Sequence, residues 1–249
     1  MDGSRASVVA TFFCEQPLEP GRAAALGESE AHHARVRRLE PGETVRLVDG
    51  VGSVASGTLT RLTKGGATVD VHTVSRVAPL PPVHLLAPVA DRDRMLWLAE
   101  KATELSLTTW RAVAWRRSRG VSPRGEGEPF RAKVRARMIS ALTQSGGAWL
   151  PAILPDTTGE GVIEAAEPGM HLLLDVTGEP IWTVPVSAPL TIAMGPEGGL
   201  DDDERERLAA AAWMPVSLGV TTLRFETAGT AALAIARAAF AANVESTRG

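Results

Sequence analysis

From Leu190 to Leu200 the chain reads L-T-I-A-M-G-P-E-G-G-L. An apolar run ends abruptly in a glycine-proline turn that carries one carboxylate, Glu197, and Asp201-Asp202-Asp203-Glu204 follows at once. Glycines let a backbone come close to a ligand, and proline stiffens the turn. A second stretch, Ser217 to Leu233, repeats this plan. It has a short apolar run, Gly219, and then Arg224 and Glu226 at the mouth of an alanine-rich segment. A carboxylate and a guanidinium placed beside glycine turns are groups that take up a proton or steady a developing charge. Neither stretch is a phosphate cradle. G-x-x-x-x-G-K-[ST] and G-x-G-x-x-G are both absent, and the acidic flank disfavours a polyphosphate. On loop chemistry alone, a plain strand-to-helix turn explains the first stretch equally well.

The elements that must position these residues follow from pattern. Val83 to Val89, Trp110 to Ala114, Met170 to Val176, Leu190 to Met194 and Val216 to Leu218 are short apolar runs, as strands buried on both faces require. Between and after them, Arg92 to Leu107, Phe130 to Ser145 and Thr227 to Asn243 carry helical spacing, and Asp201 with Glu204 has the spacing of a capping box. Alternating strands and helices predict a parallel α/β sheet, whose ligands sit beyond the carboxyl ends of the strands. Upstream, Val8 to Cys14, Thr44 to Val48, Ser53 to Leu62 and Ala67 to Val77 are strand-like, and Glu28 to Leu39 is helical. Short strands at that spacing predict a small β-barrel. Ala78-Pro79-Leu80-Pro81-Pro82 is a stiff linker, so we expect one domain over 1–77 and another over 83–249.

Composition narrows the function. With 249 residues, 44% of them hydrophobic, the chain can bury a core, and a net charge of −3 excludes a generic polyanion binder. The single cysteine, Cys14, rules out an internal disulfide and a multi-cysteine zinc site, and we expect no metal. His32 and His33 have no second ligand pair at zinc-like spacing and are expected to pack or cap. No apolar run reaches the about 18 residues a membrane span needs, and the N-terminus is too weakly apolar and too quickly polar for a convincing signal peptide. A cytoplasmic protein with no membrane contact is the expectation.

Taken together, G-P-E-G-G with its acidic helix start and L-G-x-x-x-L-R-x-E-T-A (Leu218, Gly219, Leu223, Arg224, Glu226, Thr227, Ala228) resemble the SPOUT class of S-adenosylmethionine-dependent methyltransferases. Within that class they are similar to the RsmE type, which methylates uridine N3 in small-subunit ribosomal RNA. K-A-T-E-L (Lys101 to Leu105) and H-x-x-R-V-x-R-L-x-P-G-E (His33 to Glu43) extend the resemblance over nearly the whole chain. The resemblance implies a PUA-like RNA-binding barrel followed by a SPOUT α/β domain. It also implies a C-terminal trefoil knot formed by the loops around Gly195 and Gly219, a homodimer, and S-adenosylmethionine bound in the knot.

It further implies roles for particular residues. The cofactor would lie against Leu174, Asp175, Met194, Gly195, Gly199, Leu218, Gly219, Leu223 and Thr227, with Asp175 either taking a cofactor hydroxyl or capping the next helix. Arg224, Glu226 and Glu197 are the catalytic candidates, and a structural ion pair is the other reading of the first two. Arg35, Arg37, Arg38, Arg116 and Arg117 are candidate RNA contacts, or else solvated cations on a helix face and a loop. Four family cations are missing, where Ala10-Thr11, Val89, Gly146 and Thr221 stand. This thinning raises an alternative acceptor, a small N-heterocyclic metabolite. A non-catalytic RNA-binding module is a further alternative, which the intact glycine motifs oppose.

Overall fold

The computed structural model describes residues 10–120, 124–219 and 221–246. Residues Val8 and Val9 of the first expected strand, and part of the expected basic loop from Arg116 to Glu128, lie outside the described residues. The chain divides into two units. One runs to Pro79 and adds Ile139–Leu150; the other holds Leu80–Met138 and Pro151 onward.

The first unit contains β1 (Thr11–Phe13), β2 (Ala23–Leu26), α1 (Glu28–Val36), β3 (Thr44–Val48), β4 (Ser53–Leu62) and β5 (Ala67–Arg76). The strands form one sheet in the order β1-β3-β4-β5-β2. Alternation makes it. Along β4, Ser53, Ala55, Gly57 and Leu59 point inward while their neighbours do not, and the hairpin to β5 turns through Thr63–Gly66. Phe12, Leu26, Val45, Leu47, Leu59 and Val69 fill the interior with Ala31 and Ala34 of α1. The sheet is curled, and among the described residues no β1–β2 pairing joins its two ends. The end strands are only three and four residues long, and α1 packs against β4 and β5 to cover the interior instead. Sequence pattern missed β2, whose A-A-A-L carries little alternation. Cys14 is a buried free thiol, pushed up in pKa chiefly by that burial. His33 packs edge-on against Phe12.

The second unit is α/β. Its elements are β6 (Val83–Pro88), α2 (Arg92–Glu104), β7 (Thr109–Ala114), most of α3 (Glu128–Ser145), β8 (Ala152–Ile153), β9 (Thr157–Thr158), α4 (Val162–Ala165), β10 (Met170–Pro180), β11 (Leu190–Met194), α5 (Asp202–Ala210), β12 (Met214–Ser217) and α6 (Phe225–Ser246). The strand order is β12-β10-β11-β6-β7-β8, with β9 also on β7, and every pairing is parallel. The central strands β6 and β11 are buried at every residue, which is why they read as unbroken apolar runs. Leu86, Val113, Leu173 and Ala193 meet Val162 of α4 and Leu208 of α5 in one core. On the face that Met194 shares, α2 and α6 pack together. Gly229 of α6 lies so close that a Cβ there would sit 2.8 Å from Met194 Cε and 3.0 Å from Leu98 Cδ1.

Candidate active site

Three parallel strands, β10, β11 and β12, end side by side, and the segments that leave them line one cavity of about 210 Å³. Leu174 and Asp175 come from β10. Met194, Gly195, Glu197 and Gly199 come from the turn after β11. Leu218, Gly219 and Leu223 come from the segment after β12. The two glycine turns therefore share a single cleft, as a ligand site at strand carboxyl ends requires. Phe225 and Ala228 of α6 close one wall. Arg224 and Thr227 are exposed, Glu226 is buried, and none of the three lines the cavity.

Each turn has a local cause. Gly199 has φ +68°, and its amide donates to the Pro196 carbonyl at 2.8 Å, so the reversal is tight enough to start α5 immediately. Asp201 then caps α5. Its carboxylate accepts from the Glu204 amide at 2.8 Å, and Glu204 accepts from the Asp201 amide at 3.0 Å, the expected capping box. Glu204 is buried and also accepts from the Arg116 amide at 2.9 Å. Gly219 has φ +140°, a conformation open to glycine and strained for other residues, and nothing lies within 4 Å of where its Cβ would be. The wall beside it is therefore bare backbone.

The charged residues of the site are tied to these turns. Arg116 donates to Asp203 at 2.7 Å and to Asp201 at 2.9 Å, and these bonds raise its pKa above the ordinary value. The amide of Glu204, more than any other group, holds the Asp201 carboxyl below its usual range. Arg117 donates to the Gly198 carbonyl at 2.9 Å. Both basic side chains proposed from sequence for RNA contact thus brace the glycine turn, while staying partly exposed. Asp175 sits where β10 breaks register with β12, between Leu174 and Glu179. Its Oδ1 accepts from the Thr177 amide and hydroxyl, and its Oδ2 pairs with Arg205, which also lines the cavity. The carboxylate expected to meet a cofactor hydroxyl is thus already engaged by protein donors. Arg35, Arg37 and Arg38 lie on and just after α1, all exposed.

Several residues of the site escaped the sequence reading. Trp115 is 1% exposed and its indole donates to the Met194 carbonyl at 3.0 Å, fixing the last residue of β11. Arg94 donates to Glu197 Oε1 at 3.1 Å, and its Nε stands 3.9 Å from Glu226 Oε1. Asp91, the N-cap of α2, accepts from the Asp93 and Arg94 amides and sets the turn from which Arg94 projects. The D-R-D-R spacing of Asp91 to Arg94 was the available signal, a capping residue three before a cation.

A parallel sheet with a cleft at the carboxyl ends of β10, β11 and β12, walled by glycine turns and rimmed by carboxylates, defines a class. The chain belongs to the RNA methyltransferase family: a family model described as "RNA methyltransferase domain" matches residues 77–237, and one described as "RNA methyltransferase PUA domain" matches residues 26–71. Among curated relatives, the chain is similar to the ribosomal RNA small subunit methyltransferase E of Mycobacterium bovis, at 30% identity over 240 residues. That match covers 91% of this chain and 90% of the relative. It is also similar to the protein of the same name from Synechocystis, 32% identical over 219 residues, covering 84% and 71%. Among solved structures, the Neisseria gonorrhoeae ribosomal RNA small subunit methyltransferase E, bound to S-adenosyl methionine, matches with a TM-score of 0.81 at 26% identity. The match covers 91% of this chain and 95% of that one. A probable rRNA-methyltransferase from Porphyromonas gingivalis matches with a TM-score of 0.78 at 26% identity, covering 94% and 99%.

Among the described residues, no group of three or more His, Cys, Asp or Glu side chains is placed to hold a metal ion. No helix among them is long and apolar enough to cross a membrane.

Proposed function

We propose that this protein transfers a methyl group from S-adenosylmethionine to N3 of a uridine in small-subunit ribosomal RNA. The observation that carries the reading is the single cleft shared by the turns at Gly195 and Gly219, in a chain matched nearly end to end by ribosomal RNA methyltransferases. The cleft suits the donor. Leu174, Met194, Leu218 and Leu223 offer an apolar slot for the adenine, and the bare backbone at Gly219 admits close approach. S-adenosylmethionine brings an already activated methyl on a sulfonium, so placement of the acceptor and removal of its proton are what remain for the protein. Uridine N3 carries a proton and is a poor nucleophile until that proton leaves. Glu226 and Glu197 are the carboxylates near the cleft that can take it, and Arg224 is the cation that steadies the uracil anion.

In this reading residues 1–77 hold the RNA, with Arg35, Arg37 and Arg38 on phosphates, and residues 83–249 carry the transfer. The segments around Gly195 and Gly219 thread into a trefoil knot. Two copies pair through α6, whose Ala234 and Ala238 are exposed beside half-buried Ala231 and Ile235, a face of small side chains that admits close helix approach. The protein acts in the cytoplasm, where its RNA is assembled. The small N-heterocycle alternative is not favoured, because the curated relatives are named for ribosomal RNA and one family model is that of an RNA methyltransferase PUA domain.

The test is genetic and chemical together. Deleting the gene should remove N3-methyluridine from the small-subunit RNA, read by mass spectrometry, and reintroducing it should restore the nucleoside. Unchanged RNA in the deletion strain rejects this acceptor.

A further inference from the structure

Glu226 is the least ordinary carboxylate in the site. It sits in the first turn of α6, and its side chain is only 12% exposed. One oxygen, Oε1, stands 3.9 Å from Arg94 Nε; the other, Oε2, is buried with no hydrogen-bond partner. A buried carboxylate oxygen left without a donor is costly, so a native fold that keeps one retains it for a reason. Glu197 differs. It is 39% exposed and its Oε1 accepts from Arg94 at 3.1 Å, so it is solvated and already bonded. Of the two carboxylates, Glu226 alone combines burial with an oxygen that no protein donor engages.

Arg94 links the pair. Its backbone is fixed by the Asp91 cap at the start of α2, and its guanidinium then reaches the turn after β11 on one side and the start of α6 on the other. A single positive charge between two carboxylates offsets their mutual repulsion. A planar guanidinium also presents its donors in fixed directions, so it orients what it binds.

Resting on the uridine-methylating reading above, we propose that Arg94 is a positioning residue for the transfer. It fixes Glu226 Oε1 and the Glu197 carboxylate on either side of itself, leaving Glu226 Oε2 as the group that takes the acceptor's proton. In that step the N3–H bond breaks, its proton passes to Glu226 Oε2, and its electron pair stays on N3. That pair forms the N–CH3 bond as the donor's S–C bond breaks, with the S–C pair left on sulfur.

The test uses purified full-length wild type, R94Q, R94K, E226Q and R94Q/E226Q, with methyl-deficient small ribosomal subunits as acceptor. Steady-state kinetics and calorimetry with S-adenosylmethionine are both read. E226Q should lower kcat by at least about 100-fold, and R94Q by about 10- to 100-fold through misplacement of the carboxylate. Donor affinity and KM for the RNA should hold in both, and R94K should recover only part of the R94Q loss, because an ammonium keeps the charge without the fixed planar donors. The decisive readout is the double variant. If Arg94 acts through Glu226, R94Q/E226Q is no slower than E226Q alone. Should R94Q not fold, R94K and R94K/E226Q carry the same cycle. Wild-type kcat in R94Q, or losses that multiply in the double variant, overturn the proposal while leaving the methyltransferase reading in place. A wild-type enzyme that methylates no ribosomal RNA overturns both.

Discussion

The indole of Trp115 donates a 3.0 Å hydrogen bond to the carbonyl of Met194, and this buried bond joins the end of β7 to the residue at which β11 becomes the glycine turn. Phenylalanine at 115 would keep most of the apolar volume and lose the donor. A buried carbonyl left unpaired costs about 1–3 kcal/mol. W115F should therefore lower the thermal midpoint, and it should weaken S-adenosylmethionine binding because Met194 lines the cleft. Unchanged donor affinity by calorimetry would show that the cleft wall does not depend on this bond.

Gly219 offers a cleaner separation of fold from binding. No atom lies within 4 Å of its virtual Cβ, so alanine meets no clash there, but φ +140° strains it. That strain is of the order of 1–3 kcal/mol. The loop relieves it by moving, and G219A should lose roughly tenfold or more in donor affinity while its melting curve shifts little. A large drop in thermal midpoint with intact binding would contradict this.

Acid should loosen the turn before it loosens the core. The Asp201 carboxyl is held below its usual range, first by the Glu204 amide and then by Arg116. A carboxylate with a depressed folded-state pKa contributes stability above its unfolded value, and that contribution is lost as pH falls through the folded one. D201N should flatten the acid limb of a stability-versus-pH curve. E204A strips the acceptor from two backbone amides in a buried place, so it should cost about 2 kcal/mol or more at neutral pH. Denaturant melts at several pH values measure both.

Arg224 is exposed at the mouth of α6, with its carbonyl accepting from the Ala228 amide at 2.9 Å in the first helical turn. That backbone bond survives a change of side chain. R224A should keep the melting temperature and the donor affinity and lose methyl transfer by about 100-fold or more. Normal turnover by the purified variant removes Arg224 from the chemistry.

The exposed cations on and just after α1 should be read by salt. If Arg35 and Arg38 touch phosphates, R35A/R38A lowers RNA affinity and reduces the slope of log affinity against log salt by roughly 0.7–0.9 per lost contact. Donor affinity stays as in wild type. An unchanged slope leaves these side chains as solvated cations with no RNA contact.

Much of the scaffold was legible because burial imposes period. Ser53–Leu62 and Leu190–Met194 have the bounds that apolar pattern alone predicts, since a strand with one buried face alternates and a strand buried on both faces reads as an unbroken apolar run. The capping box at Asp201 and Glu204 was equally plain, being a rule about residues three apart. β2, β8, β9 and α4 were not legible. They are two to four residues long, too short for any period to appear.

The sequence by itself determined which turns could approach a ligand and which carboxylates stood near them, because glycine spacing and helix starts are local properties. Only the tertiary structure decided what those carboxylates face. Arg94 lies 103 residues from Glu197, and Trp115 lies 79 from Met194. Contacts at such separations are set by how parallel strands are ordered across the sheet, and no window of sequence contains that order.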